Sequence, residues 1–351
     1  MKASGFFFSL QPVEPVLVNQ YIRKNKTYSN EELIREKNIL NSSFADQLLI
    51  KELFDAKIYL EKNLFYYNRY RNSIIPNTYK YEGKHYKYHT YIKLLQSFIL
   101  CGINVKNVTS FYDICGAPGE WVRSLLKECP IKRAYAISLY ERGIPFDKEI
   151  YSMKKLKIIS PKDGNIYKIE NLEESLTNVK KVDLVCCDGG MSVKFLKNES
   201  LQALAHIHLI FAEFVYGLCF TKIKTGIFVC KVFDLFDEIT VQILMCATIF
   251  YKKTYIVKPK ESRLVNSEKY LVCKELEFND DKDRLRNKLI NLLVECKDSN
   301  PGEIFDKSIL KNDLIKSFKD SLIKINNKLL RAQTNEIYRV VNLCIKKYKK
   351  I

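Results

Sequence analysis

Four short stretches of this 351-residue chain set a group able to carry charge or a proton at the end of an apolar run. Val182-Asp-Leu-Val-Cys-Cys-Asp188-Gly-Gly190 reads as a buried strand that finishes in an acid and two glycines, and Gly226-Ile-Phe-Val-Cys-Lys231 finishes in a lysine. Phe111-Tyr-Asp-Ile-Cys-Gly-Ala-Pro-Gly-Glu-Trp121 runs from a strand into a turn of small residues and on into a helix. Ser262-Arg-Leu-Val-Asn-Ser-Glu-Lys-Tyr270 stands Glu268 immediately ahead of another strand. A lysine beside an apolar run is costly to bury unless a partner or a function holds it. In an open α/β sheet, ligands lie beyond the carboxyl ends of the strands, where small residues let the backbone approach them. Gly116-Ala-Pro-Gly119 lacks the G-x-G-x-x-G spacing of a dinucleotide site and is compatible with a smaller adenosyl ligand. Each stretch also has a plainer reading, Asp188-Gly189 as a helix cap or β-turn for instance, so none decides the chemistry by itself.

Positioning these groups takes a sheet. Runs rich in Val, Ile, Tyr and Phe occur at Phe111 to Cys115, Ala134 to Leu139, Leu156 to Ile159, Val182 to Cys187, Gly226 to Val232, Thr254 to Lys258 and Lys269 to Lys274. Between them lie helical patterns at about His89 to Cys101, Glu120 to Glu128, Glu199 to Phe220 and Phe236 to Phe250. The alternation predicts an α/β fold, a mainly parallel sheet with helices on both faces. Residues 85–275 are expected to form that domain, between a mostly helical extension at 1–84 and a helical one at 276–351. In the first, Ser29 or Asn30 caps a helix over Glu31 to Lys37, with helical material on to about Asn63. In the second, Leu285, Leu289, Leu292 and Cys296 make one apolar stripe. Beyond Asn300-Pro301-Gly302, a second runs through Leu310, Leu314, Phe318, Leu322, Ile325 and Leu329.

Composition narrows the partners. The 58 Lys and Arg exceed the 40 Asp and Glu by 18 charges, an excess that attracts a polyanion, nucleic acid first and an anionic membrane surface second. A hydrophobic share of 47% rules out wholesale disorder. Leu209 to Phe220, which contains Glu213, is too short for a span of ~20 residues. Phe6, Phe7, Phe8 and Leu10 are too few for a signal-peptide core, so an intracellular protein is expected. The 11 cysteines, none spaced C-x-x-C, read as small buried hydrophobes in a reducing compartment. His85 and His89 can share a helix face, but no third ligand stands near them and no metal is expected. From Tyr59 to Tyr91 nine tyrosines interleave with Lys62, Arg69, Arg71, Lys80, Lys84 and Lys87. Either bases stack on such rings beside phosphate-seeking cations, or the rings pack on a core.

Together the four stretches resemble the FtsJ-like (RrmJ-like) RNA 2'-O-ribose methyltransferases, which use S-adenosylmethionine and a Lys-Asp-Lys-Glu tetrad on a Rossmann-like sheet. Several segments are similar to one branch, the mRNA cap 2'-O-methyltransferases of eukaryotes and large DNA viruses. They are Asp163-Gly-Asn-Ile-Tyr-Lys-Ile-Glu-Asn171, Asp188-Gly-Gly-Met-Ser-Val193 with Asn198-Glu-Ser-Leu-Gln202, Phe228-Val-Cys-Lys-Val-Phe-Asp-Leu-Phe236, and Ser262-Arg263 with Asn266-Ser-Glu-Lys-Tyr270. The likeness covers about residues 85 to 275 in the right order. It implies a tetrad of Lys93, Asp188, Lys231 and Glu268. Lys93 is chosen because it precedes Asp113 by 20 residues on a helix leading into the first strand, with Lys87 as the alternative. The resemblance sets S-adenosyl-L-methionine against Asp113, Cys115, Gly116, Ala117, Pro118, Gly119, Glu120, Trp121, Ser138, Asp163, Asn165 and Asp188. It sets RNA against Ser262, Arg263, Tyr86 and Lys87. The chain departs from the family pattern in three ways: Glu120 replaces a second glycine, Leu264-Val265 stand where this branch often has Pro-Ala, and Ser138 stands where many adenosyl-binding sheets carry an acid.

The activity implied is methylation of the ribose 2'-hydroxyl of the first transcribed nucleotide of capped mRNA, with capped RNA and other capping or transcription proteins as partners. An rRNA or tRNA ribose methyltransferase shares the tetrad, and a non-catalytic RNA-binding subunit of a capping complex shares the fold. Alignment of donor and hydroxyl at ~3 to 3.5 Å supplies roughly 7 to 11 kcal/mol of the barrier. Lys231 acts as the base if its pKa falls from ~10.4 towards ~7 to 8. Burial and Lys93 push it down, whereas Asp188 and Glu268 push it up. Left charged, it stabilises a developing alkoxide instead.

Overall fold

Side chains that alternate between two apolar layers build the central sheet. Phe111 and Asp113 point to one side of their strand, Tyr112 and Ile114 to the other, and all are buried. The same period of two runs through the neighbouring strands, whose residues divide between two apolar clusters. The computed structural model describes residues 5–14, 27–28, 42–77, 80–81, 83–86, 89–140, 143–190, 202–296, 300–301, 304–305 and 311–350. The expected cap at Ser29 or Asn30, the helix over Glu31 to Lys37, Lys87, the segment from Met191 to Leu201 and Leu310 lie outside them.

Eight strands form this sheet: β1 (Gly5–Ser9), β2 (Ser110–Ile114), β3 (Arg133–Ile137), β4 (Leu156–Ile158), β5 (Leu184–Cys187), β6 (Ile227–Val232), β7 (Tyr251–Pro259) and β8 (Lys269–Leu276). Their order is β1-β7-β8-β6-β5-β2-β3-β4. Strands β4, β3, β2, β5 and β6 are parallel neighbours, while β8, β7 and β1 continue the sheet in antiparallel pairs. The sheet is therefore more mixed than the alternation of elements predicts. The reason is the short link from Pro259 to Lys269, too short for the crossover a parallel pair needs, so β8 returns beside β7 and slots in next to β6.

Helices α1 (Gln47–Lys62) and α2 (Leu64–Ile74) precede the parallel strands. On one face lie α3 (Thr90–Leu100) and α4 (Glu120–Glu128). On the other lie α5 (Ile169–Asn178), α6 (Ile207–Phe220) and α7 (Glu238–Phe250). Then follow α8 (Asp280–Cys296) and α9 (Lys316–Tyr348), a helix of 33 residues. The expected stripe Leu285, Leu289, Leu292, Cys296 is buried, as are Phe318, Leu322, Ile325 and Leu329. Leu314 is not in the stripe. It sits in a 3-10 turn before α9 and is 65% exposed, and Ile315 takes the buried place. The amino-terminal extension also supplies a strand, because Phe6, Phe7 and Phe8 pair along the edge of β7. All eleven cysteines are unpaired and all but Cys115 are buried.

Long side chains on α9 tie the two ends of the chain to the sheet domain. Asn326 Nδ2 donates to the carbonyls of Phe44, at 2.8 Å, and Leu235, at 3.1 Å. Gln333 Nε2 donates to Ser267 Oγ at 3.1 Å.

Candidate active site

Strand register brings together groups far apart in sequence. Cys187 lies opposite Cys230 in the parallel β5–β6 pair, so Asp188 and Lys231 emerge side by side at the carboxyl edge. Tyr270 faces Lys231 in the antiparallel β6–β8 pair, with Glu268 just ahead of β8. Lys93 projects from the first turn of α3. Lys231 Nζ donates to the Asp188 carbonyl at 2.8 Å and lies 3.3 Å from Asp188 Oδ1. Lys93 Nζ lies 2.8 and 3.1 Å from the two Glu268 carboxylate oxygens. The four residues expected as a tetrad thus form two ion pairs at one place. Removing one partner of such a pair leaves an uncompensated charge, at a typical cost of about 3–5 kcal/mol when it is buried.

The charges set one another. Burial alone lowers the Lys231 pKa, but Asp188, Glu268 and Glu213 outweigh it and hold the ammonium above its usual value. Burial alone raises Glu268, and Lys93 with Lys231 reverse this, keeping it ionised well below the usual carboxylate range. The fall in the Lys231 pKa that the base role needs is therefore absent from this site by itself.

Two residues support the acidic partners. Tyr270 donates its hydroxyl to Asp188 Oδ1 at 3.2 Å. Lys258, 3% exposed, donates to the carbonyls of Ser262, Asn266 and Glu268 at 3.1, 2.6 and 2.6 Å. Burial, Lys269 and Lys93 push its pKa well down. Three carbonyls only accept, so holding them together requires three N–H groups and the charged form, and the geometry outweighs the desolvation. Sequence reading passed over both. A lysine in the apolar run of β7 was the same signal that singled out Lys231.

A cleft of about 190 Å³ opens beside Asp188 and is lined by His89, Thr90, Asp113, Cys115, Gly116, Ala117, Pro118, Glu120 and Trp121. These are the expected cofactor residues of the β2 turn, with His89 and Thr90 added from the start of α3. Gly116 is required by proximity, since a Cβ there would stand 2.1 Å from Asp113 Oδ2. Gly119 caps α4 with φ +106°, a conformation that favours glycine. Asp113 Oδ2 is buried with no hydrogen-bond partner among the described residues. Burial, with Asp188 and Glu213, raises the Asp113 pKa well above the carboxylate range. Burial likewise pushes Glu120 up to about 7. Three acids around a small-residue cleft, one with an orphaned oxygen, fit a cationic ligand such as a sulfonium amino acid.

Ser138, Asp163 and Asn165 do not line this cleft. Ser138 Oγ accepts from Ala117 N–H at 3.3 Å and borders a small neighbouring recess. Gly164 packs on the Ser138 carbonyl, which seats the Asp163 to Asn165 loop against the end of β3. The Asp163 carboxylate accepts from Asn171 at 2.7 Å, and Asn165 Oδ1 from Tyr167 N–H at 3.0 Å. The Asp163 carboxylate is thus held by Lys168 and by Asn171 at the start of α5.

Of the residues expected on RNA, Ser262 is fully buried. Its hydroxyl lies 2.8 Å from both the Glu268 carbonyl and Oε1, so it orients the acid instead of meeting solvent. Arg263, half-buried with φ 43°, lines a separate cavity with Lys260, Glu261 and Glu336. Tyr86 is half-buried, its ring 5.6 Å from that of Tyr91. Most described tyrosines of the Tyr59 to Tyr91 segment pack on the core, with Tyr67, Tyr70 and Tyr91 buried. Among the described residues no cluster of three or more His, Cys, Asp or Glu is placed to hold a metal.

A second cavity, about 490 Å³, borders Glu268 on the other side of the tetrad residues. Lys57, Glu61, Tyr67 and Arg71 line it from α1 and α2, Phe233 and Asn266 from the sheet domain, and Gln333 from α9. The Arg71 guanidinium lies 5.5 Å above the Tyr67 ring, and its Nε is buried without a hydrogen-bond partner among the described residues. Beneath, Lys57 pairs with Asp234 at 3.0 Å, and Lys269 donates to the carbonyls of Phe233 and Ser267. Burial pushes Lys269 down to about 8.

A model of the FtsJ-like methyltransferases matches residues 88–276, more than half of the chain. The chain is 33% identical over 180 residues to the cap-specific mRNA (nucleoside-2'-O-)-methyltransferase 1 of Trypanosoma brucei brucei, covering 48% of this chain and 47% of that protein. It is 32% identical over 172 residues to the cap-specific mRNA (nucleoside-2'-O-)-methyltransferase of Autographa californica nuclear polyhedrosis virus, covering 48% and 64%. With the Bos taurus methyltransferase 1 it shares 28% over 240 residues, covering 62% and 27%. The chain thus spans about half the length of the trypanosomal relative and about a quarter of the bovine one.

Proposed function

Because this chain belongs to the FtsJ-like methyltransferase family, we propose that it methylates the ribose 2'-hydroxyl of the first transcribed nucleotide of capped mRNA, with S-adenosyl-L-methionine as donor. One observation carries the reading: the Lys93, Asp188, Lys231, Glu268 group stands between two cavities, Asp188 lining the acidic cleft and Glu268 the larger basic and aromatic one. A donor held beside Asp188 and an acceptor held beside Glu268 would be bridged by the ion-paired group that contains Lys231. Asp113, Glu120 and Asp188 would hold the cationic donor, which when bound supplies an electrophilic methyl group.

The chain's own residues then manage the hydroxyl. Asp188, fixed by Tyr270, aims Lys231 Nζ, and Lys93 keeps Glu268 ionised and in place. In the site by itself the carboxylates keep Lys231 protonated, and in that form its Nζ donates to the ribose hydroxyl oxygen and orients it. To accept the hydroxyl proton Lys231 must first release its own to solvent, which positive charge in the acidic cleft favours by offsetting the surrounding negative field. On the acceptor side, Arg71, set over the buried Tyr67 ring, offers charge to the phosphates of a capped RNA, with Lys57 behind it paired to Asp234.

The test is methyl transfer to short capped and uncapped RNAs of one sequence, with mass mapping of the product. Transfer to the first nucleotide of capped RNA only is expected. Equal rates on both, or internal methylation, would assign the chain to structural RNA.

A further inference from the structure

Glu213 is the one carboxylate in α6, a helix whose fourteen residues are all buried. Its Oε1 accepts the backbone N–H of Gly189 at 3.1 Å, and its Oε2 accepts from Cys230 Sγ at 3.3 Å. Gly189 directly follows Asp188, and Cys230 directly precedes Lys231. One carboxyl therefore grips both strands of the β5–β6 pair, each a single residue from a member of the Asp188–Lys231 ion pair. The fit is close, for a Cβ on Gly189 would stand 2.2 Å from Oε1, so only glycine admits this contact.

We propose that Glu213 is a positioning residue for methyl transfer, a buried clamp that sets the spacing of Asp188 and Lys231 from behind the sheet edge. The proposal rests on the methyl-transfer reading of the site. The groups facing Glu213 are Asp113 and Cys115 from the β2 turn, Cys187 and Asp188 from β5, and Cys230 and Lys231 from β6. Burial pushes the carboxyl up to about 8, so it is largely uncharged near neutrality and ionises in the alkaline range. Its ionised form raises Lys231, and a neutral isostere should let the Lys231 pKa fall.

The full chain is compared as wild type, Glu213→Leu and Glu213→Gln. Loss of the clamp in Glu213→Leu should lower kcat about tenfold or more, with the S-adenosylmethionine Kd changed less than about threefold. Glu213→Gln should keep kcat within about threefold at pH 7 and move the Lys231-governed limb of its pH profile down by about one unit. A Leu variant as fast as wild type, or a Gln profile that superimposes on the wild-type one, overturns the proposal. If the Leu variant does not fold, the Gln profile decides. Two readouts need no turnover. Hydrogen exchange at the Gly189 amide should quicken in Glu213→Leu. Between pH 5 and 8 the wild-type Tm should fall more than that of Glu213→Gln, because an acid whose folded pKa exceeds its unfolded value loses stability across that interval. Unchanged exchange or equal falls in Tm overturn the clamp even if no RNA is methylated, whereas a positive result there with no transfer to any RNA would fail the reading of function alone.

Discussion

The two cavities that meet at the tetrad residues are built in opposite ways. The cleft beside Asp188 comes largely from one continuous turn, Asp113 to Trp121, and its shape is set by backbone and small side chains around acids. The cavity beside Glu268 is assembled from α1, α2, α9 and the segment from Val265 to Glu268, and its character is set by large side chains such as Tyr67, Arg71 and Phe233. A turn that accepts a fixed cationic ligand allows little variation, whereas a wall made of helix faces can change one side chain at a time without disturbing the sheet. On the methyl-transfer reading proposed above, donor chemistry and acceptor choice are thereby separable.

The sharpest break in that division is expected at the centre, where both sides depend on one group. Lys231→Ala and Lys231→Arg should each lower kcat by about 100-fold or more, with donor affinity unchanged by calorimetry. An arginine variant within about tenfold of wild type would mean that charge alone suffices and that Lys231 is not the base. Next in size is the donor side. Gly116→Val drives a side chain into Asp113 and should weaken S-adenosylmethionine binding more than about tenfold while RNA affinity holds. If RNA binding falls in step, the two cavities are not independent.

On the acceptor side, Arg71→Ala should raise the KM for capped RNA by about tenfold or more, the loss of one charge-assisted contact of roughly 1.5 to 3 kcal/mol, with the donor Kd unaltered. A KM equal to that of wild type would remove the cap from this cavity. The smallest effect is electrostatic. Glu120 has its pKa raised to about 7, so it gains its charge as pH rises through neutrality. Affinity for the cationic donor should tighten severalfold from pH 6 to 8 in wild type and stay flatter in Glu120→Gln, and equal pH slopes would show that Glu120 does not meet the donor.

The same contrast governs how much the sequence revealed. The donor turn and the edge groups Asp188, Lys231 and Glu268 are legible because each follows or precedes an apolar run, and a period of two needs no knowledge of neighbours. Lys93 came from resemblance, and its pairing with Glu268 depends on how α3 crosses the sheet. The place of Ser262 is hidden from the sequence for a related reason. Its type and place beside Arg263 fit RNA equally well, and only the return of β8 beside β7 shows that its hydroxyl is consumed by Glu268. Glu213 and Lys258 were visible as charges in apolar segments, but their partners are backbone groups brought near by strand register, which composition does not encode. The acceptor wall was least legible, because it joins residues from Lys57 to Ile337 across the whole chain.

The reach of α9 also has a consequence for the order in which the protein is made. Gln333 and Asn326 fasten the segments around Ser267, Phe44 and Leu235, so the acceptor wall waits for a helix that follows the last sheet strand by some forty residues of intervening chain. At roughly 5 to 20 residues per second, translation separates the two events by an interval on the order of seconds. A nascent chain can therefore close the turn from Asp113 to Trp121 before α9 has been made, and the wall of the Glu268 cavity is completed only after that helix has emerged.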